Sequence, residues 1–158
     1  MKTTKGYGAT QIALHWLIAV GVLFNYVVSD AMGKALHQRL DGQDITVAIA
    51  PYHVWAGVAL MLLVLVRIAM RVTQGAPARD PGPLGLLSVA MHGILYLLIF
   101  LVPLSGGLAW FAGIEALGDV HSLMANVLVI VAGLHAAAGL YHGLVLKDGV
   151  MRRMLRPA

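Results

Sequence analysis

The sequence contains four long apolar stretches, and these constrain the fold more than any other feature. They lie at about 10–29, 52–72, 86–111 and 121–146. Each is near or above the roughly 20 residues that an α-helix needs to cross a bilayer core. The 158-residue chain is 59% hydrophobic and 11% charged, with a mean hydropathy of +0.83, which is more apolar surface than a water-soluble domain of this size can bury. The sequence therefore predicts an all-α integral membrane protein, a four-helix bundle formed by one domain, residues 1–158.

The positive charges predict the orientation of these helices. Nine of the eleven Lys and Arg residues lie at the termini or around the second connection: Lys2, Lys5, Arg67, Arg71, Arg79, Lys147, Arg152, Arg153 and Arg156. The first connection, 30–51, has only Lys34 and Arg39 beside three Asp residues, and the third has neither Lys nor Arg. Because cytoplasmic segments carry the excess of Lys and Arg, both termini are predicted to be cytoplasmic. The net charge of +4 is interpreted as membrane topology, so no nucleic-acid partner is expected.

Histidine is the main potential metal ligand in this chain. The absence of cysteine excludes disulfides, thiolate haem ligation and cysteine-bound iron–sulfur clusters. Three of the seven histidines, His121, His135 and His142, lie in the last apolar stretch, separated by fourteen and seven residues. These steps correspond to about 3.9 and 1.9 helical turns, so the three rings point in nearly the same direction. Fourteen residues rise roughly 21 Å, which places His121 and His135 towards opposite faces of the membrane.

The predicted topology sorts the helix histidines into two levels of the bilayer. His53 and His121 form an outer pair. The inner group consists of His15, His92, His135 and His142. An imidazole in lipid needs a replacement for its lost hydrogen bonds, from a neighbouring helix or from a bound group. Since a six-coordinate haem iron takes one imidazole on each side, two levels of histidines predict two haems stacked across the membrane. His37, in the first connection, is interpreted as a solvated loop residue.

The second apolar stretch repeats the fourteen-residue step, from His53 to Arg67. Arg67 is therefore predicted to face the same way as His53, at the level of the inner cofactor. A buried Arg needs an anion, and a haem propionate would supply one. The alternative for Arg67 is a side chain that extends to the lipid headgroups. Arg71, one turn further on, is predicted to extend to the lipid headgroups. Gly57, one turn after His53, would leave room for the outer macrocycle.

Several motifs together resemble the bacterial cytochrome b561 family. They are ALHW at 13–16, YHVWAG at 52–57, LLVLVRIAMR at 62–71, MHGILYLLIFLVPLSG at 91–106, and VHSLMAN, GLHAAAGLYH and LKDGVMRRML towards the end. The resemblance covers nearly the whole chain and includes the order and spacing of the helix histidines. It implies a multi-pass protein of the bacterial inner membrane that carries two b-type haems and exchanges electrons with ubiquinone.

The resemblance also implies roles for individual histidines. His15 and His135 would hold the inner haem, and His53 and His121 the outer haem. This agrees with the levels inferred above, although depth alone does not rank His15 above His92 as the partner of His135. His142 would then be free to meet the quinone.

The family members most similar in layout are superoxide oxidases, which implies transfer of electrons from superoxide at the periplasmic face, through both haems, to ubiquinone. Lys34 and Arg39 on the outer face could attract the superoxide anion. The three Asp residues of the first connection oppose this attraction, so local placement would have to outweigh the total charge. Near the inner surface, His142 and His92 are candidates for proton delivery, because imidazole titrates near neutral pH.

Two alternatives remain open. In the first, the same two haems form a cytochrome b subunit that passes electrons from a periplasmic dehydrogenase or hydrogenase partner to the quinone pool. The short outer connections, without an evident apolar docking patch, favour a free-standing enzyme. In the second, the histidines form a proton path without haem, which the presence of a haem absorption band would exclude.

Overall fold

The computed structural model describes residues 3–4, 6–77 and 82–157, and it is helical apart from one two-residue strand pair. The helices are α1 (Ala9–Val27), α2 (Met32–Leu40), α3 (Ala50–Gln74), α4 (Pro83–Ala112) and α5 (Ala116–Tyr141). A π-helical turn, His142–Leu146, continues α5, and a 3-10 turn, Met151–Met154, follows. Strands β1 (Thr3–Thr4) and β2 (Ala76–Pro77) pair in parallel. The second connection, between α3 and α4, therefore contributes β2 to a short strand pair, and its residues 78–81 lie outside the described residues.

Four of the helices are long and apolar enough to cross a membrane. These candidate spans are Ala9–Val27, Ala50–Gln74, Pro83–Ala112 and Ala116–Leu146, which confirms the four predicted stretches to within a few residues at each end. In the most apolar window of each span, only 6–17% of the residues are buried within the protein. The remaining apolar side chains point outwards, as expected of helices whose solvent is lipid. Lys2, Lys5 and Arg79, part of the basis for the predicted orientation, lie outside the described residues.

The bundle is held together by contacts between consecutive long helices, with α4 packed against both α3 and α5. Its apolar centre consists of Leu98 and Val102 on α4 and Leu128 on α5. Between α1 and α3, Gly21 allows a close approach, since a Cβ there would lie 2.6 Å from Cδ2 of Leu60. Small residues at such crossings are typical of membrane helix pairs.

The first connection contains a helix, α2, which covers one end of the bundle. The buried face of α2 is formed by Ala35 and Leu36, and Leu36 contacts the position of Gly118 near the start of α5. We call this end, where α3 and α5 begin, the α2 end. The opposite end, where α1 begins and the C-terminal segment lies, is called the termini end.

Candidate functional site

Four of the helix histidines form two pairs, one at each level of the bundle. Near the α2 end, His53 of α3 and His121 of α5 have ring centres 6.1 Å apart with an angle of 85° between the ring planes. Towards the termini end, His15 of α1 and His135 of α5 have ring centres 6.2 Å apart at 76°. Each pair joins two different helices, and α5 contributes one ring to each level.

The spacing within both pairs fits a haem iron between the rings. An iron bonded to an imidazole nitrogen on each side, at the roughly 2 Å usual for a first-row metal and histidine, separates the two ring centres by about 6 Å. The ring of His92 lies only 5.0 Å from that of His135, which is too close for an iron between them. The residues therefore fit two bis-imidazole haems, and the spacing favours His15 over His92 as the partner of His135.

At the α2 end, hydrogen bonds also fix which ring nitrogen is free. Nδ1 of His53 lies 3.1 Å from the carbonyl oxygen of Asn25, and Nδ1 of His121 lies 2.8 Å from that of Val102. A carbonyl oxygen only accepts, so each Nδ1 carries the proton and donates it. Each Nε2 then presents its lone pair, as in metal-binding histidines whose other nitrogen is hydrogen-bonded to a carbonyl.

Gly106 provides the space in which the His121 ring lies. A Cβ at position 106 would be 2.8 Å from both Cε1 and Nδ1 of that ring, whereas a Cβ on the neighbouring Gly107 would meet no atom within 4 Å. The role of Gly106 could not be predicted from the sequence, because it depends on which residue of α5 faces this glycine.

Gly57, predicted to make room for the outer macrocycle, faces α1. With the Asn25 amide oriented to satisfy both of its groups, its nitrogen donates to the carbonyl of His53 at 3.3 Å and its oxygen accepts from the backbone N–H of Gly57 at 3.0 Å. A Cβ at Gly57 would lie 3.6 Å from this amide, which is an ordinary contact. Asn25 therefore connects α1 to the backbone of α3 within one turn of the His53 ring.

The inner pair is accompanied by Arg67, which lies beside His15. One terminal nitrogen of Arg67 donates to the carbonyl of Gln11 at 2.8 Å, and the other lies 3.4 Å from Nδ1 of His15. The guanidinium carbon is 6.0 Å from the centre of the Tyr96 ring. Arg71 is only partly exposed, and its NH1 atom is buried without a hydrogen-bond partner. This is not the extended arrangement that was predicted for Arg71.

The two remaining helix histidines each meet a local oxygen. The Nδ1 atom of His92 lies 2.6 Å from the carbonyl of Ser88 on its own helix. Nδ1 of His142 lies 2.5 Å from Oδ2 of Asp148, and Oδ1 of Asp148 accepts from the backbone N–H of Val150 at 3.0 Å. The hydrogen bond from His142, followed by that from Val150, lowers the pKa of Asp148 below its usual value of 3.8. Asp148 could not be identified from the sequence, where it stands only as part of the motif LKDGVMRRML.

The predicted cationic residues of the outer face both lie on α2. Lys34 is exposed. Nε of Arg39 donates to the carbonyl of Trp110 at 2.8 Å, and its guanidinium lies 5.0 Å from the centre of the Trp110 ring. His37 is exposed as predicted, but it belongs to a helix rather than a loop, and its Nε2 lies 3.2 Å from Oε1 of Glu115. These contacts hold the Arg39 side chain against Trp110 of α4, whereas no hydrogen bond or ion pair holds the Lys34 side chain among the described residues.

Comparison with known proteins places this arrangement in a family. The sequence model of the prokaryotic cytochrome b561 family matches residues 6–157. The chain is 38% identical over 157 residues to a cytochrome b562 of Cereibacter sphaeroides, with 99% of each chain covered. It is 29% identical over 176 residues to a probable superoxide oxidase, CybB, of Yersinia pestis, with 96% of each chain covered. It is 30% identical over 179 residues to cytochrome b561 homolog 2 of Escherichia coli, with 97% of this chain and 93% of the relative covered. With its four apolar spans, the chain belongs to the prokaryotic cytochrome b561 family of haem-b membrane electron-transfer proteins.

Proposed function

We propose that the protein, as a single domain of residues 1–158, is a di-haem oxidoreductase of the bacterial inner membrane that transfers electrons from superoxide to ubiquinone. The observation that carries this proposal is the presence of two histidine pairs at two levels, each with ring centres about 6 Å apart. When bound, the haem irons would supply reversible one-electron chemistry. His53 with His121, and His15 with His135, would be the axial ligands. In this orientation, the α2 end is periplasmic and both termini are cytoplasmic.

The α2 end is proposed to receive superoxide. Arg39 is held by the Trp110 carbonyl through Nε, which leaves its terminal N–H groups available to an incoming anion. Lys34 adds a second positive charge on the same short helix. Two superoxide anions each give up one electron here and leave as oxygen. A relative named as a probable superoxide oxidase supports this choice of electron donor.

The termini end is proposed to reduce ubiquinone. Two electrons and two protons convert the quinone to the quinol, so this end needs a proton donor as well as electrons. His142 is suited to that role, because Asp148 holds its Nδ1 and leaves Nε2 to face a substrate, the orientation that a carboxylate gives to a catalytic imidazole. His92 lies near the inner pair and is a second candidate for proton delivery.

The purified protein tests this proposal directly. We expect two b haems per chain and consumption of superoxide that depends on added ubiquinone, with one quinol formed for every two superoxide anions. Substitution of Arg39 by Gln should slow superoxide consumption most at low ionic strength, where steering by charge is strongest, whereas Arg156→Gln at the other end should leave it unchanged. Two haems without quinone-dependent superoxide consumption would disprove the choice of donor.

The second candidate function is that of a cytochrome b subunit for a periplasmic dehydrogenase or hydrogenase. It requires the same two histidine pairs, and the relative at 38% identity is named only as a cytochrome, which is compatible with it. The α2 end would then be a docking surface. Haem reduction by a co-purifying redox partner, with no reaction towards superoxide, would favour this candidate over the first.

A further inference from the structure

A pocket at the termini end is lined by two arginines and, among the described residues, by no acidic side chain. It lies between the start of α1, the last turns of α3 and the middle of α4, and it is partly open to the surroundings. Its polar lining consists of Tyr7, Gln11, Arg67, Arg71 and Tyr96. Arg67 and Arg71 are four residues apart on α3, so their like charges lie on one face of the helix, where they repel each other.

Arg71 contributes an unpaired hydrogen-bond donor to this pocket. Its NH1 atom is buried and has no hydrogen-bond partner among the described residues. An unsatisfied buried donor of a charged group is strongly unfavourable, more so than a neutral one. An anion between the two guanidinium groups would remove both this penalty and the repulsion with Arg67.

Arg67 is the second guanidinium group of the pocket, and it contacts His15. A guanidinium has only donors, so its contact with Nδ1 of His15 at 3.4 Å treats that nitrogen as an acceptor and leaves the proton on Nε2. Iron binding through Nε2 requires the opposite tautomer, with the proton on Nδ1. If His15 held the proposed haem iron through Nε2, Arg67 would give up this contact, and its freed N–H groups would be next to the pocket.

We propose that this pocket binds an anionic oxygen group, a carboxylate or a phosphate, between Arg67 and Arg71, with the hydroxyls of Tyr7 and Tyr96 as further donors. Planar, multi-donor guanidinium groups are well matched to both anions. The group has two possible sources at this level: a propionate of the haem held by His15 and His135, or the phosphate of a lipid headgroup. The propionate source rests on the proposed function, whereas the lipid source does not.

The test compares Arg71→Gln with Arg156→Gln, which removes an exposed charge from the C-terminal segment outside the pocket. For each purified protein, haem content, the midpoint potentials of both haems and the phospholipid retained after detergent exchange are measured. The inner haem is the one whose absorption is lost in His15→Ala. Arg71→Lys keeps the charge but not the fork geometry, and it controls for general damage to the fold.

The two sources give different results. If the anion is a propionate, Arg71→Gln lowers the midpoint potential of the inner haem, because a nearby positive charge favours the reduced iron, and Arg71→Lys largely restores it. The outer haem and the Arg156→Gln protein keep their potentials. If the anion is a lipid phosphate, Arg71→Gln retains about one phospholipid fewer per chain, while both potentials stay unchanged.

The proposal is overturned if Arg71→Gln changes neither the inner potential nor the retained phospholipid, or if Arg156→Gln changes them equally. Failure of the proposed function is a separate result: a wild-type protein without the inner haem would refute the di-haem assignment, and the phospholipid comparison would still decide whether the pocket binds an anion.

Discussion

The two ends of the bundle hold their histidine pairs in different ways. At the α2 end, each ring donates from Nδ1 to a backbone carbonyl of another helix. At the termini end, His15 faces a guanidinium, and His135 forms no hydrogen bond among the described residues. The protein alone therefore places the ring proton of His53 and His121 on Nδ1, whereas binding of the proposed iron by His15 would require a rearrangement of Arg67. In the proposed di-haem protein, the site at the α2 end is therefore preorganised, whereas the site at the termini end would be completed by its ligands.

Removal of a ligand histidine should have the largest effect and should act on one level only. His121→Ala is expected to lose the outer haem and keep the inner one, and His15→Ala the reverse, as measured by haem content and optical spectra. In the unsubstituted protein, transfer to a haem scavenger should empty the inner site first. His92→Ala is the control and should retain both haems. Loss of a haem in His92→Ala, with none lost in His15→Ala, would reverse the assignment of the inner ligands.

The next largest effect is expected at the termini end alone. His142→Ala should lower quinone reduction by about 10²-fold or more, the usual contribution of a general acid–base group, while both haems remain bound and superoxide still reduces them. His37→Ala at the α2 end is the matched control and should reduce quinone at the wild-type rate. An unchanged rate in His142→Ala would remove this residue from the proton path.

A smaller effect, confined to the α2 end, is expected from Gly106→Ala. The added Cβ would displace the His121 ring, and disturbance of a ligand's surroundings typically weakens metal-site affinity by about 10–100-fold. Haem titration of the two sites should show weaker binding at the outer site only. Gly107→Ala, where the added Cβ meets no atom within 4 Å, should bind both haems normally. Equal behaviour of the two variants would show that the ring does not depend on this space.

The smallest effect concerns the link between His142 and Asp148. Because the folded protein lowers the pKa of Asp148 below 3.8, the link contributes fully at pH values above the ordinary pKa of Asp and is lost as the pH falls through the lowered value. Hydrogen exchange of residues 150–154 should therefore stay slow down to that acidic range and then accelerate. In Asp148→Asn this pH dependence should disappear. Opening of the segment as the pH rises from neutrality would contradict the assignment.

Features with a regular repeat could be predicted from the sequence. The four spans follow from unbroken apolar runs, and the levels of His121 and His135 follow from the rise of a helix, because both depend on nothing outside their own segment. The parallel step from His53 to Arg67 likewise brings Arg67 beside His15. The prediction for Arg71 was wrong because it considered helix and lipid only, and not the pocket formed by α1 and α4.

Features that depend on contacts between helices could not be predicted in this way. No sequence pattern indicates that α2 folds against the start of α5, or that Asp148 reaches back to His142. No pattern in the connection between α3 and α4 indicates that Ala76–Pro77 pairs with Thr3–Thr4, since a two-residue pairing has no periodicity to detect.

The sequence by itself determined that this chain crosses a membrane four times and carries imidazoles at two levels, because hydropathy and helical rise are local properties. Only the tertiary structure decided how each ring is held. Helix packing brings the Asn25 carbonyl to the His53 ring. It also brings the Val102 carbonyl and the space at Gly106 to the His121 ring. Every residue has a backbone carbonyl, and every glycine lacks a side chain, so the sequence does not distinguish the ones that contact a histidine. Their roles can be recognised only in the packed bundle.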